Sequence, residues 1–255
     1  MYSNIFDSHA HYTDSKFEDI RKETLDSLTE SGVSGVINCS TTVKNCLETL
    51  ELCNTYNYIY GAVGIHPEDI DGLQSDYLDS LRNFSKHPKC VAFGEIGLDY
   101  YWRQDNKEEQ KRIFIEQIKL ANELDLPVIV HDREAHEDTL NILKEYKPKG
   151  VVHCFSGSKE TAKEILKLGM YIGFGGALTF KNAKKPVEAA EIIPIDKLLL
   201  ETDCPYMAPV PMRGKINLSS YIPYVAEKLA EIKSLSPQEI LNITADNAKQ
   251  LFGIV

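Results

Sequence analysis

Short apolar runs alternate with longer amphipathic stretches along the whole chain. Runs rich in Val, Ile and Leu, bounded by Gly, Pro and polar residues, predict strands over Ser3–Asp7, Gly35–Cys39, Ile59–Val63, Cys90–Glu95, Pro127–His131, Gly150–His153, Met170–Gly173 and Lys197–Glu201. Between them, spacing predicts helices around Asp19–Ser31, Val43–Thr55, Ser75–Phe84, Glu108–Leu124, His136–Tyr146, Lys159–Leu168 and Ala183–Ile192. In the fourth of these, Ile113, Phe114, Gln117, Leu120, Ala121 and Leu124 form one stripe at a period near 3.6, with charges opposite. Ser158 is a cap candidate at the start of another.

Eight strand–helix repeats give the count of a closed parallel (β/α)8, or TIM, barrel in the α/β class. A Pro-rich loop, Cys204 to Lys215, follows the last strand, and a short C-terminal extension is predicted as helices near Tyr221–Ile232, Pro237–Ile243 and Ala245–Phe252. A doubly wound open sheet is the main rival. It usually has fewer strands and a nucleotide-binding glycine loop after the first, and no such loop is present. No linker or low-complexity tract divides residues 1–255, so one barrel domain is expected.

Composition fits that expectation: 255 residues, 43% hydrophobic and 26% charged, can bury a core without staples. The formal net charge of −10 argues against a basic sleeve for nucleic acid, which depends on neutralising many phosphates. It leaves phosphate substrates open, because bound divalent metal reverses the local sign. The six cysteines include no C-x-x-C pair and read as small hydrophobes. The N-terminus lacks the pattern of a signal peptide, and no run approaches the roughly 18 apolar residues of a membrane span. A cytoplasmic protein with no membrane association is expected, and nothing points to an obligate protein partner.

The chemistry lies in what ends the strands. Strand one runs into Asp7-Ser8-His9-Ala10-His11, strand four into Gly94-Glu95-Ile96-Gly97-Leu98-Asp99, strands five and six into His131 and His153, and strand eight into Glu201-Thr202-Asp203. In a barrel these ends converge on one rim. His9 and His11, two apart on an extended segment, point the same way and suit Zn²⁺ or a similar ion. Four imidazoles (His9, His11, His131, His153) and two carboxylates (Glu95, Asp203) exceed one simple catalytic zinc site and fit two adjacent divalent metals, with Glu95 as the bridge. Mg²⁺, Mn²⁺ and Zn²⁺ all suit such a mixture. Asp203 is placed to ligate and to accept a proton from an attacking water. Each residue also has a bland reading, as a cap, a paired charge or a satisfied core histidine. Those readings need separate accidents, whereas metal binding needs one cause.

Other rim residues carry two readings each. His66, before Pro67, either binds or protonates a substrate phosphate or stiffens the turn. Asp99 orients a ligating histidine, takes a water proton, or simply sits in a turn. Tyr101 and Trp102, with Arg103 beside them, stack a base and steady a phosphate, or pack a loop. Arg213, on the loop after strand eight, counters a phosphate or is a plain surface charge. His136 reads as solvated.

These segments together resemble the TatD family of metal-dependent deoxyribonucleases, among the amidohydrolase-like TIM barrels. The likeness rests on FDSHAH at 6–11, VGIHP at 63–67, GEIGLDYYW at 94–102, VIVHDREA at 128–135, VHCFSG at 152–157, GFGG at 173–176, LLLETDCPYMAP at 198–209 and RGKIN at 213–217. It extends to ITADNAKQLFG at 243–253. The resemblance implies hydrolysis of DNA phosphodiesters, commonly from 3′ to 5′. It implies that His9 and His11 share one metal with Glu95 and Asp203, and that His131 and His153 hold the second. DNA is then the partner, held weakly and locally at the metal rim. After Asn217 the chain reads Leu218-Ser219-Ser220 where the family often has a Pro-containing segment. Related barrels often bridge through a carboxylated lysine, so Glu95 favours the nuclease family. A binuclear amidohydrolase for amide or ester bonds is the enzyme alternative, and a nucleic-acid-binding protein with a vestigial metal site is the non-catalytic one.

Overall fold

The computed structural model describes Tyr2 to Ile254. Eight parallel strands follow one another in chain order around one sheet: β1 (Ile5–Ala10), β2 (Val33–Cys39), β3 (Ile59–Val63), β4 (Cys90–Asp99), β5 (Val128–Arg133), β6 (Gly150–Val152), β7 (Tyr171–Phe174) and β8 (Leu198–Leu200). The helices are α1 (Arg21–Leu28), α2 (Val43–Thr55), α3 (Tyr77–Phe84), α4 (Lys107–Glu123), α5 (His136–Tyr146), α6 (Lys159–Lys167), α7 (Lys184–Ile192), α8 (Ile222–Lys233) and α9 (Pro237–Phe252). The expected (β/α)8 barrel with a C-terminal helical extension is present. Among the described residues, no helix is long and apolar enough to cross a membrane.

Several boundaries differ from expectation. β1 and β4 run on through the polar residues that sequence placed beyond the strands. β8 is shorter, because its ladder is with β7 alone. The last two predicted helices are one, α9. It opens with a capping box of Ser236 and Glu239 and Pro at its first position, and nothing breaks it before Gly253.

The barrel interior is a layer to which every strand contributes, including Phe6, Ile37, Ala62, Ala92, Ile129, Val151, Tyr171 and Leu199. Ala245, Ala248 and Phe252 of α9 pack against it and close the bottom. Asn247 fixes that helix by donating to the carbonyls of Ile195 and Leu198. A larger apolar layer lies between strands and outer helices. The apolar floor means that polar residues one step up each strand face one space, open only at the top.

Candidate metal centre

Strand periodicity places half of the site. Two residues beyond the inward Ile129, Val151 and Leu199 come His131, His153 and Glu201, which therefore also face inward. Alternation from Phe6 and Ala92 would turn His9 and Glu95 outward. Ladder irregularities between Asp7 and Ala10, and between Phe93 and Ile96, re-aim them into the barrel. Gly97, at φ +152°, lets β4 pass tight against the His131 carbonyl where a Cβ would collide. Asp203 and Cys154 hold φ of +58° and +44°, strained conformations for residues other than glycine, at the two strand ends that carry donors.

The resulting geometry is centred on Glu95. Its Oε2 lies 3.3 Å from His9 Nε2 and 3.2 Å from His11 Nε2. Those two nitrogens are 2.9 Å apart, and 3.7 and 3.5 Å from Asp203 Oδ1. Oε1 of the same carboxylate lies 2.7 Å from both His131 Nδ1 and His153 Nε2. Such spacings suit atoms sharing an ion at about 2.0–2.2 Å. Three overlapping donor groups, His9 with Glu95 and His153, His9 with His11 and Asp203, and His66 with Glu95 and His131, make a binuclear divalent-metal site.

Tautomers agree with that assignment. His11 Nδ1 is 3.1 Å from the Cys39 carbonyl and donates to it, which leaves Nε2 as a lone pair for metal. His131 turns Nε2 to Asp99 at 3.0 Å and Nδ1 to the centre. His153 has Glu201 3.6 Å behind Nδ1, and Glu201 also accepts the Cys154 amide. Gly173 leaves room for that buried carboxylate, since a Cβ there would meet it. His66 differs. Its Nδ1 accepts the Glu68 amide at 3.2 Å, so its neutral ring carries the proton on Nε2, which points at Glu95 Oε1 from 3.6 Å. In that tautomer His66 offers a hydrogen-bond donor to the cleft, and its side chain also stands in a possible donor group with Glu95 and His131.

The electrostatics are those of a site awaiting cations. Burial opposes charge on His11, but the Asp203 and Glu95 carboxylates overcome it and push its pKa up to about 10. Burial likewise opposes charge on His131, and Asp99 and Glu95 push it up to about 9. Burial would raise Glu95, yet the surrounding histidines, His153 foremost, hold it well below the usual carboxylate range. Asp203 is also held low against burial, chiefly by its bond to His11.

Two buried glutamines of α4 support the rim. Gln117 accepts from the Ile65 amide at 2.8 Å and donates to its carbonyl, fixing the backbone before His66. Gln110 does the same for Asp99. Asp7 ties the first strand to the last by accepting from the Thr202 amide (3.0 Å), the Thr202 hydroxyl (2.6 Å) and the Ser219 hydroxyl (2.6 Å). Sequence reasoning assigned no role to Gln110, Gln117, Glu201 or Asp7. The one signal for Gln117 was a polar residue inside an apolar stripe.

The centre floors an open cleft of roughly 790 Å³ whose lining includes His66 and Trp102 but neither Tyr101 nor Arg213. Trp102 is 59% exposed on the rim. Arg213 stacks on the Phe180 ring at 4.1 Å, and Arg103 is tied to Asp71 and Asp105. His136 is bonded to Asp132 at 2.7 Å instead of being simply solvated.

A family model described as "TatD related DNase" matches residues 6–253. The chain belongs to this family. It is 43% identical over 253 residues to the "Uncharacterized metal-dependent hydrolase YabD" of Bacillus subtilis, covering 98% of this chain and 99% of that protein. It is 30% identical over 260 residues to a "3'-5' ssDNA/RNA exonuclease TatD" of Escherichia fergusonii, covering 98% and 99%. Among solved structures, the TatD homologue YJJV of Escherichia coli superposes with a TM-score of 0.93 at 32% identity over all of both chains. An organophosphorus hydrolase of Deinococcus radiodurans shares the fold, with a TM-score of 0.64 at 14% identity, 98% of this chain and 93% of that one. With its donor sets, this member of the TatD-related family is a metal-dependent hydrolase.

Proposed function

We propose that the substrate is single-stranded DNA and that the chain removes nucleotides from its 3′ end by phosphodiester hydrolysis. The observation that carries the reading is the Glu95 carboxylate shared between two donor sets at the floor of an open cleft. Two divalent ions there would polarise a phosphoryl oxygen and lower the pKa of the attacking water. His9, His11, Glu95 and Asp203 would hold one ion, and Glu95, His131 and His153 the other. Asp203 lines the cleft and stays ionised, so its carboxylate takes the proton of the attacking water. As the P–O3′ bond breaks, the departing oxygen takes that proton back. His66 Nε2–H donates a hydrogen bond to a phosphate oxygen, and the exposed Trp102 ring stacks the terminal base.

The test is a cleavage matrix on metal-stripped protein: Mg²⁺, Mn²⁺ and Zn²⁺ against DNA, RNA, a simple phosphodiester and an amide. Metal-dependent shortening of DNA from the 3′ end is expected. No cleavage of any phosphodiester with any metal overturns the reading, and cleavage of the amide alone replaces it with amidohydrolase chemistry.

A further inference from the structure

Arg133 ends β5, one residue past the cleft-lining Asp132, and its guanidinium lies 4.2 Å from the Tyr101 ring centroid and 5.4 Å from that of Trp102. Among the described residues it is the only lysine or arginine lining the metal cleft. The other arginines are occupied elsewhere. Arg82, Arg103 and Arg112 pair with carboxylates, Arg21 donates to the backbone carbonyls of residues 12–14, and Arg213 rests on Phe180. Among the described residues, Arg133 has no carboxylate within ion-pair distance. A guanidinium held beside two rings and without a carboxylate partner has N–H groups to offer, and its planar fork matches two oxygens of a phosphate.

The cleft wall is asymmetric in charge. Asp14 follows β1 and lines the cleft, as do Glu68 and Asp69 after β3. In a closed ring of eight strands β5 stands four away from β1, so Arg133 faces Asp14 across the mouth. A polyanion with one phosphate over Glu95 is repelled by the acidic wall and drawn along the opposite one. We propose that Arg133 binds the phosphate adjacent to the scissile one, and so makes the enzyme prefer a nucleotide chain to an isolated phosphodiester. Tyr101 is then a positioning residue that holds Arg133, a role for an exposed tyrosine outside the cleft lining. This rests on the phosphodiester reading above.

The experiment compares metal-loaded wild type, Arg133→Gln, Arg133→Lys, Tyr101→Ala and Tyr101→Phe on a DNA oligonucleotide and on a dinucleoside monophosphate, which has no second phosphate. For Arg133→Gln, the ratio of kcat/KM between the two substrates is expected to fall about tenfold, through KM for the oligonucleotide. The slope of log KM against log salt is expected to drop by about 0.7, one phosphate contact on a single strand. Arg133→Lys keeps the salt slope while losing part of the affinity. Tyr101→Ala lowers the ratio, and Tyr101→Phe, which keeps the ring, restores it. An unchanged ratio in Arg133→Gln, with wild type cleaving both substrates, overturns the inference alone. Wild type cleaving neither overturns the phosphodiester reading and the inference with it.

Discussion

On the β4–β5 side of the centre, Glu95 and His131 stand on neighbouring strands whose ladder runs from Phe93 opposite Val128 to Asp99 opposite Arg133. On the β8–β1 side, His9, His11 and Asp203 meet across a seam with one isolated bridge, Ala10 to Cys204. Two amide bonds reinforce that seam, Asp203 to the His9 carbonyl and His11 to the Cys204 carbonyl. The rest of the closure is made by side chains, the Asp7 carboxylate with its hydroxyl and amide donors and the Ser8 hydroxyl donating to the Leu200 carbonyl. One donor set thus rides on a backbone ladder interrupted once, between Phe93 and Ile96, and the other depends on buried polar side chains. Damage to the seam should cost fold and metal together. Damage behind the ladder should cost metal or activity while leaving the fold.

The largest effect is expected where the two sides join. Glu95→Ala removes the one carboxylate both sets share, so activity should fall by about 10³-fold or more. Metal content by elemental analysis should drop from about two ions per chain to below one. His66→Ala should lose less, about 10²-fold, since it leaves the shared carboxylate in place. Equal residual activity in the two variants would sink the bridging role.

Asp7→Ala tests the seam. It removes the acceptor of the Thr202 amide and of the 2.6 Å bonds from the Thr202 and Ser219 hydroxyls, and should lower stability by about 3 kcal/mol, read as a fall in the denaturation midpoint. Its counterpart on the ladder side, Asp99→Asn, should melt close to wild type while metal affinity weakens about 10- to 100-fold, because His131 loses the partner that fixes its tautomer. If both variants melt alike, the contrast between the sides is wrong.

A smaller effect is set by pH. In the metal-free protein His11 keeps its proton up to about 10 and His131 up to about 9, so both are charged at neutral pH. Loading metal must expel those protons, so apparent affinity should rise with pH between 6 and 8, by about tenfold per unit for each proton displaced. Metal titrations at three pH values check the slope, and a flat profile contradicts it. The smallest change is expected at Arg213: its guanidinium lies on Phe180, so Arg213→Ala should alter kcat/KM by less than about twofold.

The barrel was legible because its strands are apolar runs of regular spacing, and its ligands because histidines and carboxylates recur where those runs end. His131 and His153 follow from alternation alone. His9 and Glu95 do not, since each depends on a ladder irregularity that composition does not announce. Arg103 sits beside Tyr101 and Trp102 in the sequence, but the fold ties it to Asp71 and Asp105 and brings Arg133 to the rings from the next strand. Neighbours in space across a parallel ladder are some thirty positions apart in the chain, out of reach of local patterns. Asp7 and Glu201 were hidden for a related reason: a buried carboxylate that holds strands together reads like one that holds metal.

Asp7 leaves a ribosome well before its partners Thr202 and Ser219, which follow 195 and 212 positions later. At about 5–20 residues per second that is a delay of about 10–40 s. Until then the first strand has an open edge, and His9 and His11 wait without Asp203. A chain not yet extended past Asp203 therefore carries no complete donor set, whatever metal surrounds it, and the centre is finished only once Thr202 and Ser219 have closed on Asp7.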